Sequence, residues 1–229
     1  MNDAIVALDL ATGSVAWTYQ DTSHDVWLYG CRDGLPGCAK SVGPDYDFAS
    51  SAALKTLPNG RELLVAAHKG GIAVAVDPQR QGRLVWRVPL SEKPATFFGD
   101  VLFGGASDNT KVYFALQETA AITAINLEDG SRVRSRHFTP ITGRAQRTGF
   151  GAAVTLIPGV LCSGGWDGVL HALSSDDGEE IWSFDTVRSS ETVNGVAAKG
   201  GSMGGPGPTV ADGMLRGLRI RWCEQRHAR

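Results

Sequence analysis

The sequence predicts an all-β chain built as a partial β-propeller of about four blades. Three observations carry this expectation. A strand–turn–strand unit recurs four times, the recurrences fall at roughly blade length, and no segment holds a helical apolar period over ten residues or more. Short strands repeating every ~40–50 residues mark a propeller or a related β array, whose sheets must bury their faces against neighbours.

The first unit runs from Ala4 to Trp17, two strands joined by Asp9-Leu-Ala-Thr-Gly13. The aspartate offers an Asx-type hydrogen bond and the glycine tolerates positive φ. The unit returns at Gly71–Asp77 with Gly82 and Trp86, at Ala121–Asn126 with Gly130, and at Gly168–Ser174 with Gly178 and Trp182. In each case the turn glycine stands four residues before the tryptophan position, which Arg134 fills in the third unit. The turn glycines are separated by 69, 48 and 48 residues. Tryptophan offers the largest apolar surface of any residue, so Trp17, Trp86 and Trp182 are expected to wedge between adjacent blades.

Ahead of three units lie further strands, Glu62–His68, Lys111–Gln117 and Val160–Gly165. Ser51–Leu57 and Gly151–Ile157 precede two of these as innermost strands. Trp166-Asp-Gly168 reads as a β-turn rather than as the Trp-Asp signature of another propeller class.

With 229 residues, 42% hydrophobic and 20% charged, the chain has the composition of a globular core rather than of a disordered segment. Its 29 glycines suit many tight turns. A net charge of −2 gives no general attraction to nucleic acid or anionic membrane, and no apolar run approaches the ~20 residues of a membrane helix. The N-terminal residues enter the first strand directly, so no signal peptide is expected in this chain. Residues 1–215 read as the incomplete propeller. Residues 216–229 hold five arginines and one glutamate and break the strand pattern, reading as an atypical basic tail, out of frame or otherwise foreign.

Thr22–Phe48 is a long insertion that accounts for the first, wider spacing, and a loop of this length in a compact domain is usually functional. Cys31 and Cys38 flank Asp33-Gly-Leu-Pro-Gly37, a turn able to bring them together as a disulfide; two separate thiols are the alternative. Zinc lacks the ligands it needs there. Asp45 and Asp47, two residues apart, can face one side of an extended segment as base or cation ligand, or instead cap the strand start at Phe48. Lys199, before Gly200-Gly201 and after Asn194-Gly195, lies where backbone can approach a ligand closely; a solvated loop is the alternative. Trp27 can stack on a ring or pack across a blade interface, and His24 and Lys69 are weaker candidates. No nucleophilic serine motif, phosphate loop or histidine cluster supports hydrolase or nucleotide chemistry.

The Ala-Leu-Asp-x-x-Thr-Gly-x-x-x-Trp unit resembles the repeat of pyrroloquinoline quinone (PQQ) β-propellers, which include quinoprotein alcohol dehydrogenases and a non-catalytic outer-membrane assembly factor. Asp25-Val-Trp27 with Gly30-Cys31, Gly43–Ser51, His68–Asp77, Phe184–Thr186, Thr192–Ser202 and Gly205–Pro208 are similar to polyvinyl alcohol dehydrogenase-type enzymes. The resemblance covers residues 4–215 and implies an eight-bladed parent, periplasmic or secreted. In such a parent PQQ and calcium oxidise an alcohol or polymeric hydroxyl substrate and pass electrons to a cytochrome c. It further implies Asp45 or Asp47 as base or calcium ligand, and Lys199, Asn194 and Trp27 around PQQ. The haem c segment Cys-x-x-Cys-His of some relatives is absent, and the chain reads as a C-terminal part, incomplete and inactive alone. The alternative is a protein-binding scaffold of the assembly-factor kind.

Overall fold

The computed structural model describes residues 3–31, 33–96, 99–145, 147–192 and 194–216. Residues 217–229, most of the expected basic tail, lie outside the described residues. The chain is all-β, the one helical element among the described residues being a 3-10 turn at Pro78–Arg80.

Strands β1 (Ala4–Leu8) and β2 (Val15–Gln20) form a hairpin. Three four-stranded antiparallel sheets follow. The first contains β3 (Ala53–Thr56), β4 (Glu62–His68), β5 (Ile72–Asp77) and β6 (Arg83–Pro89). The second contains β7 (Gly105–Ser107), β8 (Lys111–Leu116), β9 (Ala121–Asn126) and β10 (Arg132–His137). After a two-residue β11 (Gly151–Ala152), the third contains β12 (Thr155–Ile157), β13 (Val160–Gly164), β14 (Val169–Ser174) and β15 (Glu180–Asp185). A small hairpin of β16 (Ser189–Glu191) and β17 (Ala197–Lys199) comes next. Then β18 (Gly204–Gly205) pairs in parallel with β11, and β19 (Thr209–Ala211) pairs with β20 (Met214–Arg216). The fold is therefore three complete blades flanked by two half blades. β1–β2 corresponds to the outer pair of a blade and β19–β20 to the inner pair.

Alternation along each strand decides which neighbour a side chain meets. On β8, Val112, Phe114 and Leu116 pack with Leu63, Val65, Ala73 and Trp86 of the first blade. The intervening Tyr113 and Ala115 pack with Phe150, Leu161 and Leu173 on the side of the third. Each blade thus buries both faces only because it has two neighbours.

One contact repeats at three interfaces, whereas Trp182, expected to wedge between blades, is exposed and stacks on Phe184. Trp17 of the half blade lies over Gly82 of the first blade, where a Cβ would stand 2.4 Å from its ring. Trp86 lies over Gly130 of the second blade, with 2.8 Å to its Cγ. The Trp86 indole also donates to the Leu127 carbonyl, 2.9 Å away. Arg134 does the same work at the third interface. Its stem covers Gly178, and its guanidinium donates to the carbonyls of Ser175 and Asp176. Ser175 stands three residues before its turn glycine, as Leu127 does before Gly130, so arginine reproduces both the cover and the hydrogen bond of tryptophan.

The Asp9 turn forms as its sequence requires, Asp9 Oδ1 accepting from the amides of Ala11 and Thr12 at 3.0 and 2.8 Å. Strand β7, Gly-Ala-Ser, has no apolar pattern and was not legible as the innermost strand of its blade. Trp86→Ala should lose ~3–5 kcal/mol of stability, because it removes a buried indole and orphans the Leu127 carbonyl. Gly130→Ala should destabilise as well, its backbone lying at φ +75° against the indole. Urea denaturation of both variants checks this.

Candidate functional site

The loops between blades gather at one end of the sheets, joined by backbone hydrogen bonds to the turns between second and third strands. The Lys69 amide donates to the Asp47 carbonyl at 3.1 Å, and the Asp100 amide donates to the Lys69 carbonyl at 2.8 Å. Further on, the Gln117 amide donates to Asp100 and the Trp166 amide to Gly149, both at 2.9 Å. Within the turns the amides of Gly71, Ala120 and Gly168 donate to the carbonyls of His68, Gln117 and Gly165, so Lys69, Glu118 and Trp166 occupy equivalent turn positions on three successive blades.

The long loop between β2 and β3 is anchored by two buried aspartates. Asp21 accepts from Tyr19 at 2.7 Å, from Arg87 at 2.9 and 3.0 Å, and from His68 at 2.9 Å. The Gly70 amide donates to His68 Nδ1 at 3.0 Å, so the ring proton sits on Nε2 and points at Asp21. Burial pushes the Asp21 carboxyl up, but the hydrogen bonds from His68, Arg87 and Tyr19 outweigh it and hold the group well below the usual range. Tyr46 stacks on His68 and Phe48 meets its edge. Asp25, fully enclosed, accepts from the Tyr46 amide at 2.7 Å. Gly43 lies so close to Asp25 that a Cβ would meet it at 2.6 Å. Farther out, Cys31 and Cys38 are joined by a disulfide. An open groove there is lined by Trp27, Tyr29, Cys31 and Pro44, with Tyr29 meeting Trp27 edge-on.

These anchors bring Asp45 and Asp47 to Lys69. Its ammonium lies 2.9 Å from Asp45 Oδ1 and 2.8 Å from Asp47 Oδ2. Asp45 is buried and takes a left-handed backbone at φ 66°, a strained conformation for this residue, whereas the Asp47 side chain is half exposed. Burial raises both carboxyls, but the outcomes diverge. Asp45 ends above its ordinary value, while the Lys69 hydrogen bond carries Asp47 below it. Lys69 is itself held above the usual lysine value: burial opposes its charge, and the two carboxylates more than compensate. Asp3 lies behind this pair, buried, with neither carboxyl oxygen meeting an N–H or O–H donor. Burial, then the neighbouring Asp25 and Asp47, push it up to about 7.

Lys199 and Asn194 are not gathered into this cluster. Lys199 ends β17 opposite Ser189, and Asn194 accepts from Thr192 in the same exposed hairpin. No ion pair or hydrogen bond among the described residues joins either to Asp45 or Asp47. Lys69, a weaker candidate in the sequence, is the cation the aspartates meet, and Asp3 was not among the candidates. Nothing in the local sequence marks either, since their partners are 22 or more residues away. A second group also went unread. The Trp166 indole donates to Gln117 at 2.8 Å, and the Arg147 guanidinium lies 5.3 Å from the Trp166 ring. Among the described residues no set of three or more His, Cys, Asp or Glu side chains is arranged to hold a metal ion.

The chain matches the PQQ_2 family model, described as "Outer membrane protein assembly factor BamB", over residues 1–136 and 68–198. It belongs to this family of PQQ-type propeller repeats. It is 35% identical over 227 residues to a polyvinylalcohol dehydrogenase from a Pseudomonas species, and 30% identical over 232 residues to that of Sphingopyxis sp. strain 113P3. Each match covers 93% of this chain, which spans only 35% of the relative's length. Among solved structures, quinohemoprotein alcohol dehydrogenase ADHIIG from Pseudomonas putida HK5 superposes with a TM-score of 0.59 at 14% identity, over 93% of this chain and 38% of that one. At that identity the superposition establishes the propeller fold alone.

The proton on Asp3 gives a test. With an ordinary value of 3.8 and a folded value of about 7, the folded chain binds the extra proton between them. Stability therefore falls as pH rises through that window, and the loss is complete above it. Asp3→Asn should remove this slope and exceed the parent in stability by ~1–3 kcal/mol at about pH 8, read by urea denaturation at several pH values.

Proposed function

We propose that this chain is the part of a PQQ-dependent alcohol dehydrogenase that holds the proton-accepting carboxylate, oxidising hydroxyl groups of an alcohol or a polymer such as polyvinyl alcohol. The observation that carries this reading is the Asp45–Lys69–Asp47 cluster at the loop end of the propeller, on a chain whose relatives are named polyvinylalcohol dehydrogenases.

Asp47 is the proton acceptor in this reading. It is ionised at neutral pH because Lys69 lowers it, and it is the reachable one of the pair. Asp45, buried on the other side of the ammonium, fixes the lysine so that its remaining proton can point at a quinone or alcohol oxygen. PQQ is flat and tricarboxylate, and when bound it supplies the quinone that takes the two electrons. The residues present fit such a group in kind. Lys69 is a cation for an oxygen, and beyond the next turn the Arg147 guanidinium, set against the Trp166 ring that the buried Gln117 holds by a hydrogen bond, is a second cation. Lys199 and Asn194 would reach the ligand only from the outer hairpin, and Trp27 only from the disulfide loop.

A calcium ion on Asp45 and Asp47, as the resemblance implies, would have to displace Lys69 from between them. This reading therefore gives both carboxylates to the lysine and leaves calcium to other donors of the whole protein. A periplasmic setting agrees with the Cys31–Cys38 disulfide, which an oxidising compartment would preserve. A cytochrome c would reoxidise the quinone. The chain spans about a third of its relatives, so the remaining walls of the site belong to sequence outside it. A second reading, a scaffold without cofactor, is favoured by the description of the family model as an assembly factor.

Titrating the protein with PQQ while following tryptophan fluorescence separates the two. Saturable binding supports the dehydrogenase, and its absence supports the scaffold. Where alcohol-dependent dye reduction is measurable, Asp47→Asn should lower turnover ~10²–10⁴-fold with PQQ affinity nearly unchanged. Lys69→Met should move the acidic limb of the pH profile upward, because the charge that lowers Asp47 is gone. Unchanged turnover in Asp47→Asn would remove Asp47 from the chemistry.

A further inference from the structure

A single imidazole stands behind both members of the Lys69–Asp47 pair. His68 ends β4 and is wholly buried, with Asp21 against one ring nitrogen and the Gly70 amide against the other. The peptide joining Lys69 to Gly70 is thereby held at both ends. Its N–H donates to His68 Nδ1 at 3.0 Å, and its carbonyl accepts from the Asp100 amide at 2.8 Å. Glycine at position 70 is what lets the ring come so close. A Cβ there would stand 2.7 Å from His68 Cε1 and 2.8 Å from Tyr46 Cδ2.

The same ring carries the aspartate segment. Tyr46 stacks on it with centroids 5.7 Å apart, and the Phe48 ring stands nearly perpendicular to it at 5.3 Å. These two residues flank Asp47, whose carbonyl accepts from the Lys69 amide between them. Carboxylate and ammonium, 2.8 Å apart, are therefore borne by two segments that share one support. The other turns show what the position is for. Gln117 opens the equivalent turn of the second blade, and its side-chain amide donates to the Gly99 carbonyl at 3.1 Å, tying that turn to the loop before its own blade. Gly165 opens the third turn and has no side chain to reach with. In the first blade the position holds a ring that offers an acceptor, a donor and a flat face at once.

We propose that His68 is the positioning residue of this site, holding Lys69 against Asp47 through the Gly70 turn on one side and through Tyr46 and Phe48 on the other. The role needs the ring proton on Nε2 alone, because Nδ1 must accept from Gly70. Asp21, itself held by Tyr19 and Arg87, selects that tautomer. Wholly buried, the ring reaches no reacting atom and acts through Lys69 and Asp47. The consequence for alcohol oxidation rests on the function proposed above, whereas the support itself does not.

Acetylation of the full chain followed by peptide mass mapping reads the arrangement without turnover. Lys69 is held above the usual lysine value by two carboxylates, so it should react more slowly than the exposed Lys93 of the same chain. His68→Phe keeps a ring but offers Gly70 no acceptor, and should speed Lys69 at least ~3-fold relative to Lys93 as the lysine leaves its carboxylates. In His68→Asn the side-chain oxygen can accept from the amide two residues on, as Nδ1 does, and should undo at least half of that change. Circular dichroism verifies that the blades persist. In the parent chain, nitrogen NMR should place the His68 ring proton on Nε2, a result that needs no variant to fold. A proton on Nδ1, a Lys69 as slow in His68→Phe as in the parent, or a Lys69 as fast in His68→Asn as in His68→Phe would each overturn the assignment. Failure of PQQ to bind would remove the dehydrogenase reading and leave these outcomes untouched.

Discussion

The structure depends on one contact, the side chain at the end of a blade lying flat over the turn glycine of the next. The contact asks for two things at once. The turn must take a left-handed residue, which sets φ at +71° to +80° for Gly82, Gly130 and Gly178, and it must leave room for a ring at van der Waals distance. Glycine meets both demands, and a Cβ fails the second even where the first is tolerated. Because Trp86 and Arg134 also donate to a carbonyl three residues before the glycine, these interfaces are polar and apolar together, which fixes their register. Arg134 shows which part of this is chemistry and which is residue type. A flat cation with an aliphatic stem can replace an indole because both are plates that donate a hydrogen bond.

This explains what was legible in the sequence. Short hydrophobic strands are ambiguous one by one, but a glycine four residues before a tryptophan, repeated at 48-residue intervals, reports a contact between repeats. Such a contact can be read because both partners are at fixed offsets in a local unit. Strand β7 lacked this advantage. Gly105 has to be glycine because a Cβ there would stand 2.2 Å from the Tyr113 carbonyl, and Ala106 and Ser107 are too small to carry an alternating pattern. The half-bladed ends were legible only as a broken pattern, since a strand pair gives no sign of which half of a blade it is until its neighbours are placed.

The site was legible to a lesser degree, for the converse reason. Asp45 and Asp47 stood out because they are close in sequence, and they do end on one cation. The cation itself read only as a weaker candidate: Lys69 reaches them through a turn whose only local signature is Gly70-Gly71. Those glycines read equally well as hairpin punctuation. Gly71 has a left-handed backbone at φ +74°, and the equivalent position in the second blade is Ala120 at φ 50°. The conformation therefore belongs to the turn, and the glycine does not by itself announce a site. Asp25 reads as a loop residue, yet its burial and its bond to Tyr46 make it the post on which the aspartate segment turns. Lys199 and Asn194 stand in glycine-rich surroundings that build an exposed hairpin, apart from the aspartate–lysine cluster.

The same geometry links the site to the ring. Lys69, Glu118 and Trp166 hold equivalent turn positions, so a ligand spanning the loop end meets a different chemistry at each blade while the backbone hydrogen bond closing each turn stays the same. Cation, carboxylate and indole in succession are choices made on an invariant frame. A propeller can therefore change from scaffold to binding site without altering a blade, provided its interfaces stay closed. The carboxyls around Lys69 show the cost of this arrangement. Asp45 and Asp47 share one ammonium, and behind them burial and the neighbouring carboxylates of Asp25 and Asp47 push Asp3 up to about 7. The stability given up at that point must be supplied elsewhere, and the tryptophan and arginine contacts between blades are where the structure has it.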